Sequence, residues 1–539
     1  MLLARHSYNK ITMADTDSMN PELQLLKQQL ELARTRNEAA LDRHANGSPI
    51  QIPGIGRIVS AAYEQLRKAA EYAEEHVLLQ RAIHRFMLRN LSFNQQRQPE
   101  RLGEELLLEL THAGYLRNST YSESVADAID QLVNEHYTHT YWQLRQANIG
   151  RETATEWSLD ILSVAVEELL QPHYQRNAIA AYAHYHYLQR LPKVSFLREP
   201  NDEANYDICL YVAIHKALFK SDRAAVRFDL INLYQQTTAN LAAFINLNIS
   251  IDDLYMARLT QRIQRSVNRY GASIRVLKSL ADDDPDLPEL LGDRVNFMAA
   301  YKEQIHSEYH QLKRRVDKGL AKSIAFVFIT KIVIGISIEI PYDLIVTGTI
   351  AYMPLGINLL FPPLYMASVR LGLHMPNQAN AQALYDYMEH ALYMPNADTT
   401  QRLRVSIKSA SRVAKFLYSI LFFLPMAVMS YALALLGFSV LQGIIFFLFL
   451  STVSFLGFRL VYMIRELQLV NEQPGILGTL RDFFYLPFIM VGQWVSRKYA
   501  KVNVITYLLD IAIELPLKTF LRLLRQWTQF LNEKHDELL

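Results

Sequence analysis

Cysteine is almost missing from this chain. Cys209 stands alone in 539 residues, which excludes an intrachain disulfide and any zinc site built on thiolates. Without a disulfide framework, a reducing compartment fits the water-facing part. Glycine is scarce too, with 19 residues. No Walker A loop, no dinucleotide glycine fingerprint after a strand and no nucleophile elbow occurs. Gly54-x-Gly56 reads as a helix entry. Neither charge sign is in excess: the net charge is +2, which gives no reason to expect a nucleic acid partner. The alternation that marks strands is missing, and Asn46-Gly47 is the lone Asn-Gly pair. The amino end carries no secretory signal, because Arg5, His6 and Lys10 interrupt any apolar core. A disordered start is expected, with a short basic transit leader to Ile11 as the alternative.

What is present is apolar and falls late. Half of the residues are hydrophobic and a fifth are charged, but the average hides a charged first 320 residues and an apolar remainder. Four runs, at about 323–340, 345–369, 416–436 and 440–464, approach or reach span length; a helix crosses the ~30 Å hydrocarbon layer in about 20 apolar residues. Pro354 and Pro362-Pro363 should kink the second. The first is the weakest, with Lys331 at its middle and Glu339 at its end. A lone Lys at a helix centre costs ~2.5–3.5 kcal/mol on insertion scales, so this run is expected to insert with its neighbour as a hairpin.

The positive charges set an orientation. Lys313, Arg314, Arg315, Lys318 and Lys322 precede the first run. Arg370 follows the second, and Arg402, Arg404, Lys408, Arg412 and Lys415 precede the third. Arg465 closes the fourth. The connections 341–344 and 437–439 hold no Lys or Arg. Lys and Arg favour the cytoplasmic side of short loops. Both termini and the 370–415 loop are therefore expected in the cytoplasm, with two tight hairpins outside.

The first 320 residues read as helix. Asn20-Pro21 is a helix start, followed by Leu23, Leu26, Leu30 and Ala33 on one face. Ile58, Ala62, Leu66, Ala69, Ala73 and Val77 give a second amphipathic helix from Ile55 to about Leu88. Further helices are expected at about 99–116, 122–148, 153–190, 203–219, 222–247, 251–281 and 288–320, the last continuing into the first span. Beyond Arg465 the apolar runs shorten. The stretch 483–495 is too short to span and suits an interfacial or re-entrant position. Phe520, Leu524, Trp527 and Leu531, beside Lys518, Arg522 and Arg525, form an amphipathic end. The expected architecture is all-α. A flexible or helical segment 1–50 leads into a helical cytoplasmic domain 51–320. A four-helix transmembrane region of two hairpins, 321–465, follows, and then an interfacial tail 466–539.

No catalytic, cofactor-binding or metal-binding residue is identified. The intramembrane candidates are Lys331, Glu339 and Asp343, since ionisable groups in spans mark ion or proton paths. Lys331 and Glu339 lie about two turns apart, ~12 Å along a helix, so direct pairing is not expected. Ile336–Pro341 is echoed by Ile511–Pro516, which reads as two similar helix ends. Glu303, His306 and His310 could share a helix face, but a zinc site needs more support than that spacing. Arg81, Arg85 and Arg89 make a ridge at i, i+4, i+8. That ridge, and Trp494 with Arg497 and Lys498, are candidate contacts for lipid phosphates or an acidic partner.

Two stretches resemble multipass bacterial membrane proteins of no assigned activity. One is Tyr63-Glu64-x-Leu66-Arg67 with Tyr72, Glu75-His76 and Arg81-Ala82-Ile83. The other is Thr330-Lys331 with Ile338-Glu339-Ile340-Pro341, then Asp482-Phe483-Phe484-x-Leu486-Pro487. The resemblance implies a bacterial cytoplasmic membrane and no chemistry. The function expected is that of a non-enzymatic, membrane-anchored scaffold or adaptor. Its partners would be the lipid bilayer and a cytoplasmic protein, with oligomers allowed and no nucleic acid. The alternative is a small transporter or channel using Lys331 and Glu339, joined by Asp510 and Glu514.

Overall fold

Asn20 and Pro21 open the first helix as their chemistry requires. Pro21 occupies a position whose N–H would be orphaned anyway, and the Asn20 side chain accepts from the Glu22 N–H at 2.9 Å. This is α1, Pro21–Ala45, in a computed structural model that describes residues 20–45, 75–91, 101–118, 120–346, 348–371, 373–394, 403, 412–470 and 485–495. Every regular element among the described residues is helical.

Helices α2 (Glu75–Asn90) and α3 (Leu102–His112) precede α4 (Glu123–Val133), which widens into a π segment, Asn134–Tyr141, and ends as α5 (Trp142–Gln146). Next come α6 (Arg151–Leu170) and α7 (Tyr174–Arg190). The single helix expected over 153–190 is two, because Pro172 disfavours helical backbone at the preceding residue and Gln171 is extended, with ψ 81°. Then follow α8 (Asp202–Ile214), α9 (Arg223–Leu233), α10 (Leu241–Tyr255), α11 (Arg258–Tyr270), α12 (Ala272–Asp283) and α13 (Leu287–Leu290). Asp222 and Asn240 cap α9 and α10 by accepting from backbone N–H groups. Asp222 opens α9 where a helix is expected, Asn240 falls inside the helix expected over 222–247 and divides it, and α10 runs on to Tyr255 across the expected break.

Two cores result. One joins α2–α6 with α9 and α10 around Trp157, Tyr137 and Tyr141. The other joins α1, α7, α8, α11 and α12 to α14, Arg294–Ile334. Asp293 caps α14, accepting from Val295 and Asn296. Phe297, Tyr301, Ile305, Leu312, Val316, Leu320 and Val327 recur at fours and sevens as one buried seam, about 45 Å long at 1.5 Å per residue.

The rod does not stop at Pro341. It passes through a π segment, Gly335–Glu339, into α15, Ile340–Val346, giving 53 helical residues from Arg294 to Val346. Proline removes a backbone donor and crowds the preceding turn; the widened π geometry sits immediately before it, so the expected end of the first span near Ile340 is not a helix end. The second run is helical as α16, Tyr352–Leu371, with Pro362 and Pro363 inside. The loop expected over 370–415 contains a helix, α17, Gln378–Tyr393, docked on α14, α12 and α1. Then come α18 (Arg412–Leu435), α19 (Val440–Arg465) and α20 (Tyr485–Val495).

Among the described residues two helices are long and apolar enough to cross a membrane: Arg294–Val346 and Val440–Arg465. Only 22% of the apolar window of the first is buried. Its outward residues, Phe326, Ile329, Val333, Ile336 and Ile345, are exposed, as are Leu360 and Leu364 on α16 and Ile444 and Leu448 on α19. Within this bundle α19 packs on both α14 and α16. α20 closes against α19 through Phe447 and Phe488, stacked at 6.0 Å.

Gly492 sets the approach of α20, because a Cβ there would run into the carbonyl oxygen of Ser451. Small residues permit such backbone contact between helices. Gly492→Ala is therefore expected to destabilise by about 1–3 kcal/mol through overpacking. Gly443→Ala, with nothing within 4 Å of the added carbon, should be neutral. Thermal melting of both variants in detergent checks this; equal effects would refute the close contact.

Candidate functional site

Lys331, Glu339 and Asp343 all come from the long helical rod, and all three point inward. Their exposures are 1%, 0% and 2%. Lys331 ends the α14 seam. Its Nζ donates to Glu339 Oε1 at 2.7 Å and lies 4.7 Å from the Phe449 ring centroid. This pairing differs from the expectation. A regular helix would set side chains eight residues apart about 80° out of register. The π segment between them, with its i→i+5 bonds, turns less per residue and brings Glu339 back toward the Lys331 face.

Two amides from other helices complete the cluster. Asn358 on α16 donates through Nδ2 to Glu339 Oε2 at 2.9 Å and to the Gln442 carbonyl at 3.4 Å. Its own Oδ1 is buried without a hydrogen-bond partner. Gln442 on α19 donates through Nε2 to both Asp343 oxygens, at 3.1 and 2.9 Å. Asp343 also accepts from the Ala351 N–H at 3.2 Å. Gln442 closes a capping box with Ser439, its Oε1 accepting from the Ser439 N–H at 3.0 Å. One polar chain thus runs Lys331–Glu339–Asn358–Gln442–Asp343 and ties α14, α15, α16 and α19 together. Asn358 and Gln442 were not among the sequence candidates; the usable signal was an amide inside each apolar run. The arrangement holds charge by mutual neutralisation and does not present a nucleophile beside a base.

The remaining candidates among the described residues form no contact with this cluster that the structure shows. On α2, Arg89 reaches Glu109 of α3 at 2.6 Å, and Arg81 and Arg85 sit half-buried on the same helix. Trp494 is exposed near the end of α20. Arg497, Lys498, Asp510 and Glu514 lie outside the described residues, as does the amphipathic end. Glu303, His306 and His310 occupy the exposed side of α14; among the described residues no three His, Cys, Asp or Glu side chains converge to hold a metal.

The helical part carries buried polar clusters that the sequence did not announce. Arg227, fully buried, donates to Asp160 at 3.1 Å, to Asn248 at 2.6 Å and to Asp252. Glu22 of α1 meets His186 at 2.8 Å and Arg190 at 3.0 Å, and His186 meets Tyr387 of α17 at 2.7 Å. Burial pushes the Glu22 carboxyl up, but His186 and Arg190 outweigh it and hold its pKa below the usual value. Burial pushes the His215 ring down to about 3, with Arg176 adding to the effect. Burial pushes the nearby Asp229 up to about 7 against Arg176. His184 is pushed down to about 4 by burial, opposed by Asp207.

Comparisons with protein-family models, with curated proteins and with solved structures give no match to this chain. The site is therefore read from its own geometry.

These shifts set an acid response. The lowered His215 and the raised Asp229 act in opposite senses on the pH dependence of stability, and Asp160, which burial pushes up to about 6 against Arg227, acts in the sense of Asp229. The folded pKa of His184 is depressed, so its contribution is present above about pH 6.5 and is lost as pH falls toward 4. Over that window the loss is at most about 3 kcal/mol, with a further loss from Glu22 below its ordinary 4.5. Relative to wild type, His184→Gln should lose less stability between pH 6.5 and 4, read as the difference in melting temperature between the two proteins across that window. An unchanged slope in the variant would refute the assignment.

Proposed function

We propose that the chain is a multi-span protein of the cytoplasmic membrane that acts as a non-enzymatic scaffold, holding its helical domain at the membrane for a protein partner. The carrying observation is that the Lys331 charge is consumed internally: paired with Glu339 at 2.7 Å, 1% exposed and covered by Phe449. A group on an ion path exchanges its partners with water or cargo, and this one is shut in packing. The clamps between domain and bundle support the same reading. Arg275 donates to the Glu466 carbonyl at 2.7 Å, and Arg370 reaches Asp317 at 2.9 Å.

In this reading 323–346, α16, α18 and α19 form four spans in two hairpins, with both termini in the cytoplasm. The exposed apolar side chains of those helices support lipid as their surroundings, and the basic clusters support the orientation. Cysteines replacing Tyr352 and Val440, exposed near the two hairpin turns, should react with an impermeant thiol reagent from outside intact cells. A cysteine replacing Val194, exposed on the helical domain, should not. Outside labelling at position 194 would overturn the orientation.

Transport is the second reading, favoured by one observation: the unpartnered Asn358 Oδ1 inside the polar chain. Lys331→Met, Glu339→Gln and the double variant separate the two. Removing one partner of a buried pair strands the other, at about 3–5 kcal/mol, whereas removing both is near neutral. A structural pair predicts two destabilised single variants, a double variant close to wild type, and no ion or proton flux in wild-type vesicles. Flux in the wild type that disappears in a stable double variant would sink the scaffold reading.

A further inference from the structure

The long rod carries a second feature, on the side opposite its buried seam. Lys313, Arg314, Arg315, Lys318 and Lys322 are all exposed within ten residues of α14. Arg315 is engaged by Glu308 at 3.5 Å and Gln311 at 3.3 Å, and Asp317 by Arg370 at 2.9 Å. Among the described residues Arg314, Lys318 and Lys322 have no ion-pair partner. They stand one turn apart in a single ridge. Continued along the helix at steps of three and four, that ridge becomes Ala325, Ile329, Val333 and Ile336. Ile329, Val333 and Ile336 are large apolar residues at 61%, 56% and 62% exposure. One exposed stripe therefore changes from cationic to apolar. Ile329 lies about 10 Å and Ile336 about 21 Å beyond Lys322, against a leaflet depth of about 15 Å, half the hydrocarbon layer.

The geometry points to a binding site for an anionic glycerophospholipid on this stripe. Arg314, Lys318 and Lys322 hold the headgroup phosphate, and the acyl chains lie along Ile329 and Val333 toward Ile336. Charge complementarity alone would suit any anion; the apolar continuation in register commits the site to a lipid. The inference rests on the membrane part of the proposed function and adds a ligand class and a place.

The test uses the full chain purified in detergent and native mass spectrometry with phosphatidylglycerol and phosphatidylcholine of identical acyl chains. Wild type should retain the anionic lipid preferentially. Each cation near an anionic surface contributes about fivefold, so Arg314→Gln/Lys318→Gln/Lys322→Gln should weaken phosphatidylglycerol by up to about a hundredfold and phosphatidylcholine, whose phosphate is offset by its own choline cation, by much less. Lys318→Arg/Lys322→Arg should keep the preference. Lys302→Gln, exposed on the same helix but about 30 Å from Lys322, should not alter it. Equal retention of both lipids by wild type, an undiminished preference in the triple variant, or glycerol phosphate binding as tightly as the lipid would each overturn the site. Failure of the membrane reading looks different: the wild-type chain would then leave the membrane pellet in alkaline carbonate without detergent.

Discussion

The rest of the structure depends on one helix that is polar over its first part and apolar over its second. The rod from Arg294 to Val346 has 53 residues, about 80 Å, and no loop separates its polar half from its apolar half. Its inner seam must fit the helical domain at Phe297, Tyr301 and Ile305 and the apolar bundle at Val327 and Lys331. A helix of 3.6 residues per turn drifts relative to any neighbour over that length. The seam keeps its register by spacings of four and seven as far as Val327. Beyond Lys331 the π segment changes the twist, and Glu339 and Asp343 return inward where an unbroken α-helix would carry Glu339 away.

That change of twist explains why the apolar section tolerates three ionisable groups. A Lys at a span centre costs ~2.5–3.5 kcal/mol on insertion scales, and a carboxylate in the same place is no cheaper. Paired at 2.7 Å, each removes the reason for the other's cost. Buried pairs seldom add net stability compared with apolar packing, but breaking one is expensive. The polar chain therefore acts as a device for registration. Gln442 can meet Asp343 only if α19 starts where Ser439 and Gln442 cap it, and Asn358 can meet Glu339 only if α16 lies beside the rod at one height. Sliding any of the three helices by a turn would strand a charge.

The sequence disclosed the parts with a strong period and hid the parts that depend on contacts between distant segments. The Leu23–Leu26–Leu30–Ala33 face is legible because a helical stripe is local, and it is buried as read. Lys331, Glu339 and Asp343 are legible because charges in apolar runs are conspicuous. Their pairing is not, because it depends on a π segment, and nothing in Gly335-Ile336-Ser337-Ile338-Glu339 separates π from α before Pro341 is placed. Asn358 and Gln442 read as ordinary polar interruptions until the helices that carry them are side by side. The helix inside the 370–415 connection was not legible for a related reason. Helix α17 has a weak stripe of its own, and its stability comes from docking Leu384, Met388 and Leu392 into a core built elsewhere.

That docking has a consequence for how the molecule closes. Helix α1 touches α17 through Asn20, which donates to the Ala391 carbonyl at 2.9 Å, and through the Glu22–His186–Tyr387 chain. The first of these contacts joins residues 371 positions apart in sequence. Chains fold in the order they are made, as far as contacts allow, and loop closure over such a separation must precede the contacts that reward it. The core shared by α1, α7 and α17 cannot be completed until α17, which follows α16 in the chain, has been synthesised. The Arg275 contact to the end of α19 and the Arg370–Asp317 pair act at the junction of the helical domain and the apolar bundle. A continuous helix and these contacts join the two parts at that junction.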